Sequence, residues 1–176
     1  MNLANKITVA RILLIPLLIL LFPTNPYYAA AVFLLASATD KLDGYIARKY
    51  NQITNLGKLL DPLADKLLIS TALILMVSQQ WLPAWIAMVI ISREIIITAI
   101  RLVASSRKIA LQADRYGKIK MAFQVAAVAA MLLSNGHSNI TSGVQIDQIL
   151  MYIALIITVY SGYNYIRNNY RSLKLV

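Results

Sequence analysis

Apolar residues run along the chain in six stretches, Ile12–Phe22, Ala29–Ala38, Leu67–Val77, Trp81–Ile91, Ala122–Leu133 and Ile149–Tyr160. With their small or polar flanks they approach the ~20 residues that cross a bilayer, the first being short. The pattern predicts helices over about 4–22, 28–49, 56–79, 82–105, 115–135 and 147–170. Pro16 is expected to bend the first helix. Gln79–Pro83 reads as a tight outer turn holding an interfacial Trp81, and Ser134–Asn139 as the longest polar loop. No internal repeat is visible and the connections are too short to hold a soluble domain. The expected fold class is all-α: an integral membrane bundle of six transmembrane helices, one domain over residues 1–176. A cleavable signal peptide is not expected, because no small-residue cleavage site follows the first apolar run and Pro23-Thr24-Asn25-Pro26 reads as a turn.

Composition strengthens this picture. Of 176 residues 59% are hydrophobic, and the mean hydropathy is +0.65, well above that of an ordinary soluble protein. The absence of cysteine excludes a disulfide framework and a thiolate metal site. A net charge of +10 raises the question of nucleic acid, and the placement of the charges answers it. All seventeen Lys and Arg fall near the N-terminus, around residues 41–66, within 93–120 or after 166, and the connections at 23–28, 78–83 and 134–146 carry none. By the positive-inside rule both termini and two inner loops are cytoplasmic, and the basic excess faces the anionic inner leaflet rather than nucleic acid.

The acids are the anomaly. Four of the seven carboxylates, Asp40, Asp43, Asp61 and Asp65, crowd into one segment beside apolar helices, where such charge is costly unless a cation holds it. Asp40, Asp43, Gly44 and Ala47 stand at i, i+3, i+4 and i+7, one helical face. Gly57, Asp61 and Asp65, at i, i+4 and i+8, form a second stripe. A short basic loop would bring the two faces together at the cytoplasmic end, where four hard oxygen donors suit Mg²⁺ or Mn²⁺. Gly44, Ala47 and Gly57 leave room for a ligand to approach, Arg48 is placed to grip a phosphate, and Pro62 is expected to loosen the second helix. Any one of these acids alone would read as a counter-ion to Lys41, Arg48, Lys49, Lys58 or Lys66. Four on two matched faces read as a metal-and-phosphate site.

The segment resembles the signature of the CDP-alcohol phosphatidyltransferase family, D-x-x-D-G-x-x-A-R, eight residues, then G-x-x-x-D-x-x-x-D. Asp40, Asp43, Gly44, Ala47, Arg48, Gly57, Asp61 and Asp65 fill every fixed position, and the gap has the same length. The resemblance implies a six-helix membrane enzyme, usually a homodimer. Two divalent ions, held by Asp40, Asp43, Asp61 and Asp65, would bind the pyrophosphate of a CDP-linked lipid, with Asp65 also the general base. It implies CDP-lipid contacts from Gly44, Ala47, Arg48, Thr54 and Gly57. For Asn5, Thr8 and Arg11 a structural role in capping and anchoring the first helix stands beside nucleotide contact, and the resemblance favours the nucleotide for Asn5 and Thr8. A bacterial cytoplasmic membrane, with the site facing the cytoplasm, is the implied location.

The acceptor is read from other cations. Ser92-Arg93-Glu94 and Arg101 lie inside the fourth predicted helix, and Lys118 and Lys120 begin the fifth, where the helix dipole favours an anion. Arg93, Arg101, Lys118 and Lys120 together suggest a second phosphate, although structural pairing of Arg93 with Glu94 and ordinary juxtamembrane charge at Lys118 and Lys120 are the plainer readings. The runs Asn5–Arg11, Ile91–Ile96, Gly117–Lys120 and Ser161-Gly162-Tyr163 resemble the family branch whose substrates are CDP-diacylglycerol and glycerol 3-phosphate. Inositol phosphate, serine or phosphatidylglycerol are the alternative acceptors, and a divalent-cation transporter is the rival from another class. Transporter sites lie near the bilayer midplane, whereas these acids fall at helix ends. Asp114 has no assigned role, His137 is expected to be solvated, and Tyr160, Tyr163, Tyr165 and Tyr170 are expected to form an interfacial aromatic belt.

Overall fold

The structure is a computed structural model that describes residues 3–49, 55–107, 115–134 and 146–173. Six helices follow one another, α1 (Leu3–Leu21), α2 (Pro26–Lys49), α3 (Asn55–Ser78), α4 (Ala84–Ser106), α5 (Arg115–Leu133) and α6 (Ile146–Leu173). Each predicted helix is present with ends shifted by at most a few residues, and the described residues contain no strand. The helices run from 19 to 28 residues, or roughly 28–42 Å at the α-helical rise. Pro16 and Pro62 both lie inside continuous helices.

Local chemistry sets the turns. Asn25 caps α2, its Oδ1 accepting from the backbone N–H groups of Tyr27 at 3.0 Å and Tyr28 at 3.4 Å, and Pro26 supplies a first helical residue that needs no partner. At the end of α3, Gln80 adopts φ 62°. Its N–H bonds Val77 O and the Trp81 N–H bonds Met76 O, the Schellman pattern that closes a helix through one left-handed residue. The two turns meet, with the Phe22 and Trp81 rings 5.1 Å apart. Ser134 Oγ donates to Asp147 Oδ2 at 2.7 Å and ties the end of α5 to the start of α6.

Helix α1 packs on α2 and α3, α5 on α6 and α2, and α4 on α3 and α6. The buried face of α1 reads Thr8, Arg11, Ile15, Leu18 and Phe22, alternating three and four residues apart as a helical stripe must. The same gradient, polar at one end and apolar at the other, runs through the bundle. Near the Phe22–Trp81 turns the core is Leu18, Phe33, Leu73, Met76, Ile86 and Met131. Toward the opposite end the buried residues become Arg11, Glu94, Lys120, Gln124, Thr158 and Ser161.

The outward faces are apolar as well: Leu13, Leu20, Leu35, Ile74, Met88 and Ile156 are all exposed. Among the described residues one segment, Ile146–Tyr170, is long and apolar enough by composition to cross a membrane, and shorter apolar helices cover Ile7–Leu21, Pro26–Thr39 and Ile119–Leu133. The six-span expectation is thus met in helix number and length, and among the described residues in continuous apolarity only by α6. Charged residues interrupt the apolar run of α4 at Arg93 and Glu94.

Candidate active site

The polar end of the core is organised by one carboxylate. Glu94 of α4 is buried, a costly position for a charge unless it is paired and hydrogen-bonded. Its Oε2 lies 2.5 Å from Lys66 Nζ of α3, and its Oε1 receives Arg93 Nη1 at 3.2 Å and Lys120 Nζ of α5. Lys66 also contacts its neighbour Asp65, Nζ to Oδ2 at 3.3 Å. One acid therefore gathers three cations from three helices, and the group of Asp65, Lys66, Arg93, Glu94 and Lys120 carries more positive than negative charge.

Helix α6 seats the arginine. Arg93 Nη2 donates to Ser161 Oγ at 2.8 Å, and the side chain lies across Gly162, where a Cβ would fall 3.2 Å from Arg93 Cγ. A side chain at this position would push the arginine aside by a few tenths of an ångström. Arg93 and Ser92 are the polar wall of a cavity of about 490 Å³ between α4 and α6, otherwise faced by apolar residues such as Met88, Ile97, Val159 and Ile166.

Among the predicted site residues, Arg93 and Lys120 are thus brought together, and Asp65 joins them through Lys66. Arg101 stands apart, exposed, with its guanidinium 4.8 Å from the centre of the Tyr165 ring. Tyr165 itself is buried, unlike the exposed Tyr160, Tyr163 and Tyr170, so it leaves the expected aromatic belt and serves as the platform for Arg101. Thr8 is buried one helical turn before Arg11. Arg11 is fully buried and its Nε donates to Thr39 Oγ1 at 3.2 Å, next in sequence to Asp40.

Asp40, Asp43, Gly44, Ala47 and Arg48 belong to α2, Gly57 and Asp61 to α3, Asn5 to α1 and Lys118 to α5, but their side chains lie outside the described residues. Thr54, Asp114 and His137 lie outside them altogether. Among the described residues no group of three or more potential metal ligands occurs. The two helices that carry the acidic stripes do pack against each other.

Three participants escaped the sequence reading. Lys66 looked like one of many counter-ions, Ser161 was only part of a resemblance, and Gln124 was not singled out. Gln124 is fully buried, one helical turn from Lys120, and neither of its amide atoms has a hydrogen-bond partner among the described residues. An i, i+4 pair of polar residues on an apolar helix was the available signal.

Residues 1–160 match the profile of the family described as CDP-alcohol phosphatidyltransferase. The chain is 42% identical to the CDP-diacylglycerol–glycerol-3-phosphate 3-phosphatidyltransferase of Bacillus subtilis (strain 168), over 98% of this chain and 97% of that one. It is 36% identical to the protein of the same name from Rickettsia typhi, over 94% and 96% of the two chains. With that of Haemophilus influenzae it shares 35% identity, over 94% and 92%.

Proposed function

The chain belongs to the CDP-alcohol phosphatidyltransferase family, and on that premise we propose that it is a phosphatidylglycerophosphate synthase. It transfers the phosphatidyl group of CDP-diacylglycerol to glycerol 3-phosphate and releases CMP. The observation that carries the acceptor is the convergence of Lys66, Arg93 and Lys120 beside Asp65. A surplus of buried and half-buried cations next to a carboxylate is what a phosphorylated alcohol requires: an anion site for its phosphate and a base for its hydroxyl. The near full-length likeness to the Bacillus subtilis and Rickettsia typhi phosphatidyltransferases supports the same acceptor.

Asp40, Asp43, Asp61 and Asp65 fit two hard divalent cations by donor chemistry, all-oxygen carboxylates on two helices that touch. Held by these carboxylates, Mg²⁺ or Mn²⁺ would supply charge neutralisation for the pyrophosphate and for the departing oxygen of CMP. Asp65 takes the proton of the acceptor hydroxyl. The freed oxygen bonds to the lipid-linked phosphorus, and the bond to CMP breaks with its electron pair going to CMP. Asn5, Thr8, Gly44, Ala47, Arg48, Thr54 and Gly57 contact the CDP-lipid. Lys66, Arg93 and Lys120 hold the acceptor phosphate, with Lys118 the further candidate on α5, while Arg101 stands apart on Tyr165. Fixing both substrates in line supplies much of the remaining acceleration.

The protein works as a single multi-pass domain in the bacterial cytoplasmic membrane, as a homodimer with its site on the cytoplasmic side. Helix lengths near the bilayer thickness and exposed Leu13, Leu20, Leu35, Ile74 and Ile156 support this placement in lipid. An even number of passes puts both termini on the same face. The test is an acceptor panel: purified protein with CDP-diacylglycerol and Mg²⁺ is offered glycerol 3-phosphate, inositol phosphate, serine and phosphatidylglycerol. Release of CMP with glycerol 3-phosphate and little with the others is expected. Preference for another alcohol would replace the reading.

A further inference from the structure

Glu94 has no part in the proposed reaction, yet it contacts three cations in the described polar core. Both of its oxygens are used, Oε2 by Lys66 and Oε1 by Arg93 and Lys120. Those partners lie on α3, α4 and α5, and Arg93 continues the chain of contacts to Ser161 on α6. Each cation keeps donors to spare: an ammonium has three N–H groups, and Arg93 Nε has no hydrogen-bond partner among the described residues.

Without a central anion the buried Lys120 and the half-buried Lys66 and Arg93 would repel one another and turn toward water. With Glu94 between them, they are held at fixed positions with unused N–H groups and a remaining positive charge. We propose that Glu94 is a positioning residue that holds Lys66, Arg93 and Lys120 ready for the acceptor phosphate and, through Lys66, fixes that site relative to Asp65. The proposal rests on the glycerol 3-phosphate reading for its substrate, and on the contacts alone for the anion site. Glu94 is not a stand-in that the phosphate must displace: a displaced carboxylate would leave a second buried anion beside the substrate.

The test uses the full-length protein in lipid micelles. Glu94→Gln keeps the shape and removes the charge; Glu94→Asp keeps the charge on a shorter arm. Glu94→Gln is expected to raise KM for glycerol 3-phosphate by about 10- to 100-fold, to leave KM for CDP-diacylglycerol within about twofold of wild type, and to be partly rescued by Glu94→Asp. Should Glu94→Gln fail to fold, the charge-balanced Lys66→Met/Glu94→Gln pair removes the excess cation, and its acceptor KM is expected to stay high. A wild-type or lowered acceptor KM in the variant that folds would overturn the positioning role, as would equal losses for both substrates. Binding of inorganic phosphate, measured by calorimetry without turnover, separates this proposal from the assigned reaction. Wild-type binding that Glu94→Gln weakens supports the positioning role even if another acceptor proves to be the substrate; no binding to the wild type, or equal binding to both, refutes it.

Discussion

Arg93 of α4 donates from Nη2 to Ser161 Oγ of α6 at 2.8 Å, joining residues 68 positions apart. The bond fixes one guanidinium edge while Glu94 takes another. Ser161→Ala removes the seat. Gly162→Ala crowds it, since the new Cβ would stand 3.2 Å from Arg93 Cγ and 3.3 Å from Nε, so the arginine side chain must shift by a few tenths of an ångström. Each substitution is expected to raise KM for glycerol 3-phosphate by about 3- to 10-fold, the value of one hydrogen bond, with KM for CDP-diacylglycerol little changed. Steady-state kinetics against each substrate in turn checks this.

Thr39 braces the acidic helix. Its Oγ1 donates to Ala36 O at 2.7 Å and accepts from Arg11 Nε at 3.2 Å, and Arg11 is fully buried. Thr39→Val keeps the volume and leaves that N–H of a buried guanidinium without this acceptor. A loss of about 1–3 kcal/mol is expected, read as a lower midpoint of thermal unfolding in detergent. An unchanged midpoint would show that the Arg11–Thr39 bond contributes little.

How much of this was visible in the sequence follows from what each feature depends on. Helix positions depend on local runs of apolar residues, and all six were legible, as was the turn at Asn25-Pro26. That the four acids fall on two helices that pack together was legible because those helices are adjacent in sequence. The cluster around Glu94 was not, because Lys66, Glu94, Lys120 and Ser161 are far apart in sequence and no short-range periodicity links them. Tyr165 illustrates the same limit. Its neighbours at 160, 163 and 170 face outward, and only the packing of α4 against α6 turns Tyr165 inward beneath Arg101.

Asp65 is assigned the base. Asp65→Asn preserves size and leaves Lys66 paired with Glu94, so the fold and CDP-lipid binding should survive. Turnover is expected to fall by about 10²–10⁴-fold, the range for a general base, and further if a metal is lost with it. CMP release alongside a CDP-lipid binding assay separates the two effects. Wild-type turnover would remove Asp65 from the base role.

Chelation of divalent ions is expected to abolish activity without unfolding the helices. Restoring Mg²⁺ or Mn²⁺ should recover it, because the donor set is carboxylate oxygen and the chain has no cysteine. Activity that persists through exhaustive chelation, with the protein intact by circular dichroism, would contradict the two-ion reading.

The central claim is the transfer itself. Purified protein in CDP-diacylglycerol micelles with Mg²⁺ and isotopically labelled glycerol 3-phosphate gives the most direct measurement: label entering the lipid extract against CMP released. Labelled phosphatidylglycerophosphate and CMP are expected in equal amounts. Label that stays in the aqueous phase, while another alcohol enters lipid with release of CMP, would contradict it.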